Sequence, residues 1–181
     1  MSGAGLGAMT MQAMTRHHLD DVLAIEHASS PQPWTEGILA DELAHADTRT
    51  YRVVLADDVV VGFAGVLVQV GEAHIVNIAV DPAHRRRGVA RCLLVELMRL
   101  AAARGATAAT LEVRASNAGA QRLYHRFGFA PAGVRPGYYA DGEGAVIMWA
   151  DDIDSDGYAE RLRRLDTDYP DVTTDTGTSA P

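Results

Sequence analysis

The chain has no lysine: all sixteen of its Lys+Arg positions are arginine, which a coding bias favouring Ala, Gly and Val explains more simply than any function. Its single cysteine, Cys92, excludes an internal disulfide and a thiolate metal cluster. No stretch of about 18 apolar residues is present to span a membrane as a helix. Met1–Met14 lacks the basic start and apolar run of a secretory signal, and Met9, Met11 and Met14 are each candidate starts. A soluble, cytoplasmic protein is therefore expected. Neither G-x-x-x-x-G-K-[ST] nor G-x-G-x-x-G occurs, which argues against a nucleotide P-loop and a dinucleotide fold. The histidines (His17, His18, His27, His45, His74, His84 and His125) show no spacing that sets two on one helical face beside a carboxylate, so no metal site is expected.

What is present suits one domain with tails: 181 residues, 48% hydrophobic and 22% charged. The net charge of −8 is concentrated at the end, where residues from Asp151 onward hold nine acids and three arginines. The body before it is close to neutral and offers no broad surface for nucleic acid.

Periodicity supplies the elements. Thr15 is placed to cap a helix carrying Leu19, Val22, Leu23 and Ile25, and Thr35 a second carrying Ile38, Leu39 and Leu43, with Ser30-Pro31-Gln32-Pro33 between them. Tyr51–Ala56 and Val59–Val70 read as a hairpin around Asp57-Asp58, and Ala73–Val80 as a third strand. Gly88–Arg104 is a strongly amphipathic helix stopped by Gly105. Strand Thr107–Val113, helix Asn117–Phe127 and strands Phe129–Arg135 and Ala145–Trp149 follow. The order ααβββαβαββ predicts an α/β (α+β) fold with an antiparallel start and a strand-helix-strand crossover. Residues 1–13 are expected to be a flexible extension, 14–150 the domain, and 151–181 an acidic, disordered tail interrupted at most by a short helix at Tyr158–Leu165.

Three segments carry chemistry. In Asn77–Arg91, N-I-A-V-D-P-A-H-R-R-R-G-V-A-R, a buried strand enters a basic loop and then a helix opened by Gly88. Unpaired N–H groups at a helix start favour an anion such as phosphate; a solvated basic turn is the structural alternative. In Leu111–Asn117, L-E-V-R-A-S-N, Glu112 and Arg114 share one strand face. A carboxylate there either faces a cleft or forms an ion pair with Arg114 or another neighbour. In Ala120–Phe129, A-Q-R-L-Y-H-R-F-G-F, Tyr124 lies on an apolar stripe, either packing in the core or presenting its phenol to a cavity. Asn117 is open to a plain N-cap role. Cys92, inside an apolar helix, is expected to pack.

Taken together, N-I-A-V-D-P, R-R-R-G-V-A, L-E-V-R-A-S-N, L-Y-H-R-F-G-F, Tyr138-Tyr139 and the early Pro33-Trp34-Thr35-Glu36 resemble the GNAT superfamily of N-acetyltransferases, most closely its RimI-type branch, over roughly Thr10–Trp149. The resemblance implies a mixed sheet of six to seven strands flanked by about four helices, with acetyl-CoA as co-substrate and no metal. It implies that the pantetheine arm lies along Ile78, Ala79 and Val80. The pyrophosphate would rest on Arg85, Arg86, Arg87, Gly88, Val89, Ala90 and Arg91, chiefly on main-chain N–H groups. Asn117 would contact the cofactor near its thiol, with Glu112 as general base and Tyr124 as general acid. The implied acceptor is a protein or peptide N-terminus, a ribosomal protein being the branch's namesake substrate, with no nucleic acid or membrane partner. Lysine side chains, small-molecule amines and a non-catalytic acyl-CoA-binding role are the alternatives on the same fold. One departure is Glu143-Gly144-Ala145, where the family usually reads E-D-A. Lacking lysine, the chain has no side-chain amine of its own to modify.

Overall fold

In the computed structural model, which describes residues 9–167 and 172–174, the chain begins as a strand. Strand β1 (Met9–Ala13) pairs antiparallel with β2 (Arg49–Ala56), from Met9 opposite Ala56 to Ala13 opposite Arg52. Met9 and Met11 point into the core, so residues 9–13 are not the flexible extension expected of them. Burying alternate methionines holds this stretch to the sheet. Residues 1–8 of that expected extension lie outside the described residues.

A 3-10 turn at Arg16–His18 precedes α1 (Leu19–Ser29), so Thr15 heads the turn instead of the helix itself. Thr35 caps α2 (Glu36–Ala44), its hydroxyl accepting from the Ile38 N–H at 3.3 Å. The remaining elements are β3 (Val59–Gln69), β4 (Glu72–Val80), α3 (Val89–Ala103), β5 (Ala108–Arg114), α4 (Ala118–Arg126), β6 (Ala130–Arg135), β7 (Ala145–Ala150), α5 (Asp156–Thr167) and β8 (Val172–Thr174). The sheet runs β6-β7-β5-β4-β3-β2-β1-β8, with β4/β5 and β1/β8 the parallel pairs. This is the mixed α/β architecture expected from ααβββαβαββ, enlarged by β1, α5 and the short β8. One core holds α3, α5 and the apolar side of α4 against the sheet; a second, built on Val22, Ile25, Leu39, Val53 and Phe63, holds α1 and α2.

Two-residue turns set the hairpins. Asp57 and Asp58 join β2 to β3 at φ 49° and 65°, the left-handed pair that a tight hairpin needs and that aspartate tolerates. Val70 and Gly71 join β3 to β4 at φ 52° and 78°. A β-branched residue is disfavoured there, and Val70 is 96% exposed, so it gains no burial in return. Val70→Asn should therefore stabilise the protein by about 1 kcal/mol. The urea midpoint should rise with an unchanged slope; an unchanged or lower midpoint would refute the reading.

The C-terminal region holds the short helix allowed for at Tyr158–Leu165, but longer, at Asp156–Thr167, and packed on the domain. Within the expected tail, α5 buries Tyr158, Leu162 and Leu165, an i, i+4, i+7 stripe laid against α3. The Tyr158 hydroxyl donates to the Phe127 carbonyl at 2.8 Å, and Arg99 pairs with Asp166 at 2.9 Å. Apolar periodicity outweighs the acidic composition over this stretch. Residues 168–171 and 175–181, also expected to be disordered, lie outside the described residues.

Candidate functional site

The sheet opens in its middle. Strands β4 and β5 pair only where Glu72, Ala73 and His74 meet Ala108, Ala109 and Thr110. Beyond that point they diverge, leaving residues 75–80 without a partner on the β5 side. A bulge adds to the divergence: Gly65 faces Asn77 and Val66 faces Ile75, so Val76 is the extra residue. The resulting cavity, about 710 Å³, is walled by Ile75–Val80 on one side and Leu111–Arg114 on the other. Trp34 and Gln32, between α1 and α2, and Tyr139, between β6 and β7, close it further. A second cavity of about 540 Å³ adjoins it, the two sharing Val80, Arg85, Ala90, Gly119 and Leu123.

The second cavity combines a helix start with a basic rim, features that favour an anion. Gly88 caps α3 at φ 83°, and Arg86 sits at φ 61°, both in the left-handed region. The first ladder bond of the helix runs from the Cys92 N–H to the Gly88 carbonyl at 3.0 Å, so the N–H groups ahead of it lie outside the ladder. No acid occupies the first turn, the usual complement to a helix start. Arg85, Arg86, Gly88, Val89, Ala90 and Arg91 all border this cavity, with Val89 and Arg91 buried; Arg87 borders neither. Arg122 and Arg126 of α4 complete the basic rim and were not singled out by motif. Their signal was present as spacing, since Gly119, Arg122 and Arg126 fall on one helical face.

The first cavity brings together Ile78, Ala79, Val80, Glu112, Asn117 and Tyr124. Glu112 does not pair with Arg114. Its Oε2 lies 3.2 Å from His74 Nε2 on β4, and its Oε1 3.6 Å from Arg135 Nη1 on β6, with the carboxylate side chain 13% exposed. Arg114 instead reaches Asp141 and Glu143 at 2.8 and 2.7 Å and stacks 3.9 Å above the Tyr139 ring. Tyr124 is both a core residue and a cavity wall: 6% exposed, its ring packs edge-on to Phe129. Burial, then the nearby Tyr139, pushes its phenol well above the ordinary tyrosine range, so it stays a neutral O–H donor. Among the described residues that hydroxyl has no hydrogen-bond partner.

Asn117 does cap α4, its Oδ1 accepting from the Ala120 N–H at 3.0 Å, while also bordering the cavity. Cys92 borders neither cavity and is buried, which raises its thiol pKa, in keeping with packing. Glu26, on the wall of the first cavity, is a functional candidate that motif reading passed over. Only 3% exposed, it accepts from Asn77 Nδ2 at 2.6 Å and from the Trp34 N–H at 3.1 Å. It thereby ties α1, the loop after it and the β4 bulge into one wall. An acid beside Val22 and Ile25 on the inward face of α1 was its signal.

Glu143 anchors the loop that carries Tyr139. Hydrogen bonds from Ser116, then the Arg114 guanidinium, hold its carboxyl down from the ordinary 4.5 to about 2. A depressed folded pKa contributes stability above pH 4.5 and loses it as pH falls toward about 2. The loop contacts should survive to about pH 3 and release below it, following the NMR titration of the Glu143 carboxyl carbon. A midpoint near 4.5 would refute the pairing. At the neighbouring Gly144 an added Cβ would meet the Arg135 carbonyl at 3.4 Å, an ordinary contact, so space alone does not require glycine there.

Among the described residues no helix is long and apolar enough to cross a membrane, and no group of three or more His, Cys, Asp or Glu is placed to hold a metal ion. Residues 3–129 match the profile of the Acetyltransferase (GNAT) family. The chain is 37% identical over 143 residues to the [ribosomal protein bS18]-alanine N-acetyltransferase of Salmonella typhimurium, covering 77% of this chain and 95% of that one. The crystal structure of the ribosomal-protein-S18-alanine N-acetyltransferase from Escherichia coli superposes with a TM-score of 0.73 at 34% identity, over 80% of this chain and 94% of the other. Ard1 from Thermoplasma volcanium superposes with a TM-score of 0.75 at 28% identity, over 80% and 97%.

Proposed function

The chain belongs to the GNAT acetyltransferase family, and from that premise we propose that it acetylates the α-amine of a protein N-terminus, with a ribosomal protein of the bS18 kind as its substrate. The observation that carries the reading is one cavity bordered by both Glu112 and Tyr124 and adjoining the arginine-rimmed start of α3. In this proposal the enzyme works in the cytoplasm.

Acetyl-CoA supplies an activated thioester. The residues present fit it: the edge at Ile78, Ala79 and Val80, unpaired with β5 although the Val80 carbonyl accepts from Ser29 Oγ at 3.3 Å, suits an extended amide-bearing arm, and the N–H groups ahead of Cys92 suit a pyrophosphate. Arg85, Arg86, Arg122 and Arg126 raise the potential around that anion, and Asn117 borders the same cleft as Tyr124. Arg87 contributes only long-range charge. Glu112 takes a proton from the acceptor amine as it attacks, directly or through water, and Tyr124 gives one to the departing sulfur. With both substrates held together, no acyl-enzyme is required.

The acceptor class follows from acidity. An α-amine has a pKa of about 8 and a lysine amine about 10.4, so the neutral fraction at pH 7 differs by over a hundredfold, about 3 kcal/mol. A carboxylate is a weak base, and the α-amine asks less of it. The test is a proteome-derived peptide library incubated with acetyl-CoA, beside lysine peptides and polyamines, with products read by mass spectrometry. Acetylated N-termini are expected. Turnover confined to lysine side chains or polyamines would sink the proposal.

A further inference from the structure

At neutral pH a primary amine arrives as an ammonium. Converting an ammonium and a thioester into an amide and a thiol releases one net proton per turnover. That proton must leave the cleft, and the group that takes it must be reset.

We propose that His74 is the outlet through which Glu112 returns this proton to solvent. Glu112 borders the reaction cavity; His74 does not, and lies behind it with Nε2 3.2 Å from Glu112 Oε2. The imidazole is 32% exposed, so it bridges a nearly buried carboxylate and water. It stands at the last paired position of β4, opposite Thr110, where the two strands begin to diverge. The charged groups around the pair are few. Arg135 on β6 holds the other carboxylate oxygen at 3.6 Å. Leu67 on β3 and Thr110 on β5 are uncharged, and the next residue along the row, Arg49 on β2, is engaged by Glu42.

The proton balance is simple. The ammonium loses two N–H protons: one restores Tyr124 after it has protonated the sulfur, and the other passes to Glu112. The carboxyl gives it to His74 Nε2, and the imidazole releases its other proton, from Nδ1, to water. Tautomer exchange with solvent then restores the starting state. Arg135 cannot serve this role, because a guanidinium does not give up its proton near neutral pH. His74 acts through Glu112 and touches neither substrate, so it is a positioning and relay group. The inference rests on Glu112 being the proton acceptor.

The full-length enzyme, an N-terminal peptide acceptor and acetyl-CoA are assayed in dilute, weakly proton-carrying buffer, with and without added imidazole. His74→Ala and His74→Gln should lower kcat by about 10- to 100-fold. KM for both substrates should stay within about twofold. Imidazole should restore most of the His74→Ala rate while leaving wild type and Glu112→Gln unchanged. Thermal unfolding of each variant separates a folding defect from a relay defect, and His74→Gln keeps the proposal testable if alanine destabilises the sheet. Wild-type rates in His74→Gln, or a loss in a folded His74→Ala that imidazole does not relieve, would overturn the outlet. A Glu112→Gln enzyme that turns over normally would instead overturn the base assignment beneath it, so the two failures are distinguishable.

Discussion

Glu112→Gln should lower kcat by about 10²- to 10³-fold while leaving CoA binding nearly intact. Glutamine fills the same volume on β5 but cannot accept a proton from the attacking amine. It would also leave His74 and Arg135 facing a neutral amide where they now share a carboxylate. The cavity at the α3 start and α4, where the pyrophosphate is proposed to sit, is not bordered by Glu112, so affinity measured by calorimetry should hold. The loss should shrink as pH rises through about 8, because an α-amine then supplies its own neutral form. Steady-state rates unchanged at neutral pH would remove Glu112 from the mechanism, and a pH-independent loss would assign it a structural role.

Tyr124→Phe should lower kcat by about 10²-fold. The substitution removes one oxygen atom and keeps the ring that packs edge-on to Phe129 in the core. Because the hydroxyl has no protein partner among the described residues, its loss should leave no orphaned group and little change in unfolding temperature. Burial keeps the phenol protonated across the working range, so the deficit should be flat with pH, in contrast to that of Glu112→Gln. Wild-type turnover in a folded Tyr124→Phe enzyme would exclude the phenol as the proton donor to sulfur.

Much of the fold was legible because its signals are local. The helix expected at Gly88–Arg104 is α3 with those two residues as its caps, and the Asp57-Asp58 hairpin closes at the positions expected. β1 was not legible: M-T-M-Q-A is short and poor in β-branched residues, and it becomes a strand only by pairing with β2, far along the chain. In α5 an apolar stripe was visible, but six acids between Asp151 and Asp166 masked how well it packs.

The candidate site divides in the same way. Glycine and arginine before α3 are legible as a basic turn at a helix start, which by itself suits either an anion or solvent. Glu112 could be placed on a strand face, yet its ion-pair partners come from β4 and β6, which only the sheet order brings alongside. Pairing with Arg114, the adjacent basic residue on the same face, was one of the alternatives open to it, beside another neighbour or a cleft. Arg114 is drawn instead to Asp141 and Glu143 in the loop after β6, a contact no spacing within β5 could foretell.

The parting of β4 and β5 has a thermodynamic side as well as a chemical one. A sheet left unzipped at its centre has backbone groups that make no ladder bond between β4 and β5, and an extended ligand seated there would supply part of that ladder. Such a ligand is a component of the folded state, absent from any unfolded one. At a hundred times its dissociation constant it would add about 2.7 kcal/mol to stability, a sizeable share of what holds a domain together. The cellular supply of acyl-CoA would then set how long this protein persists as well as how fast it works.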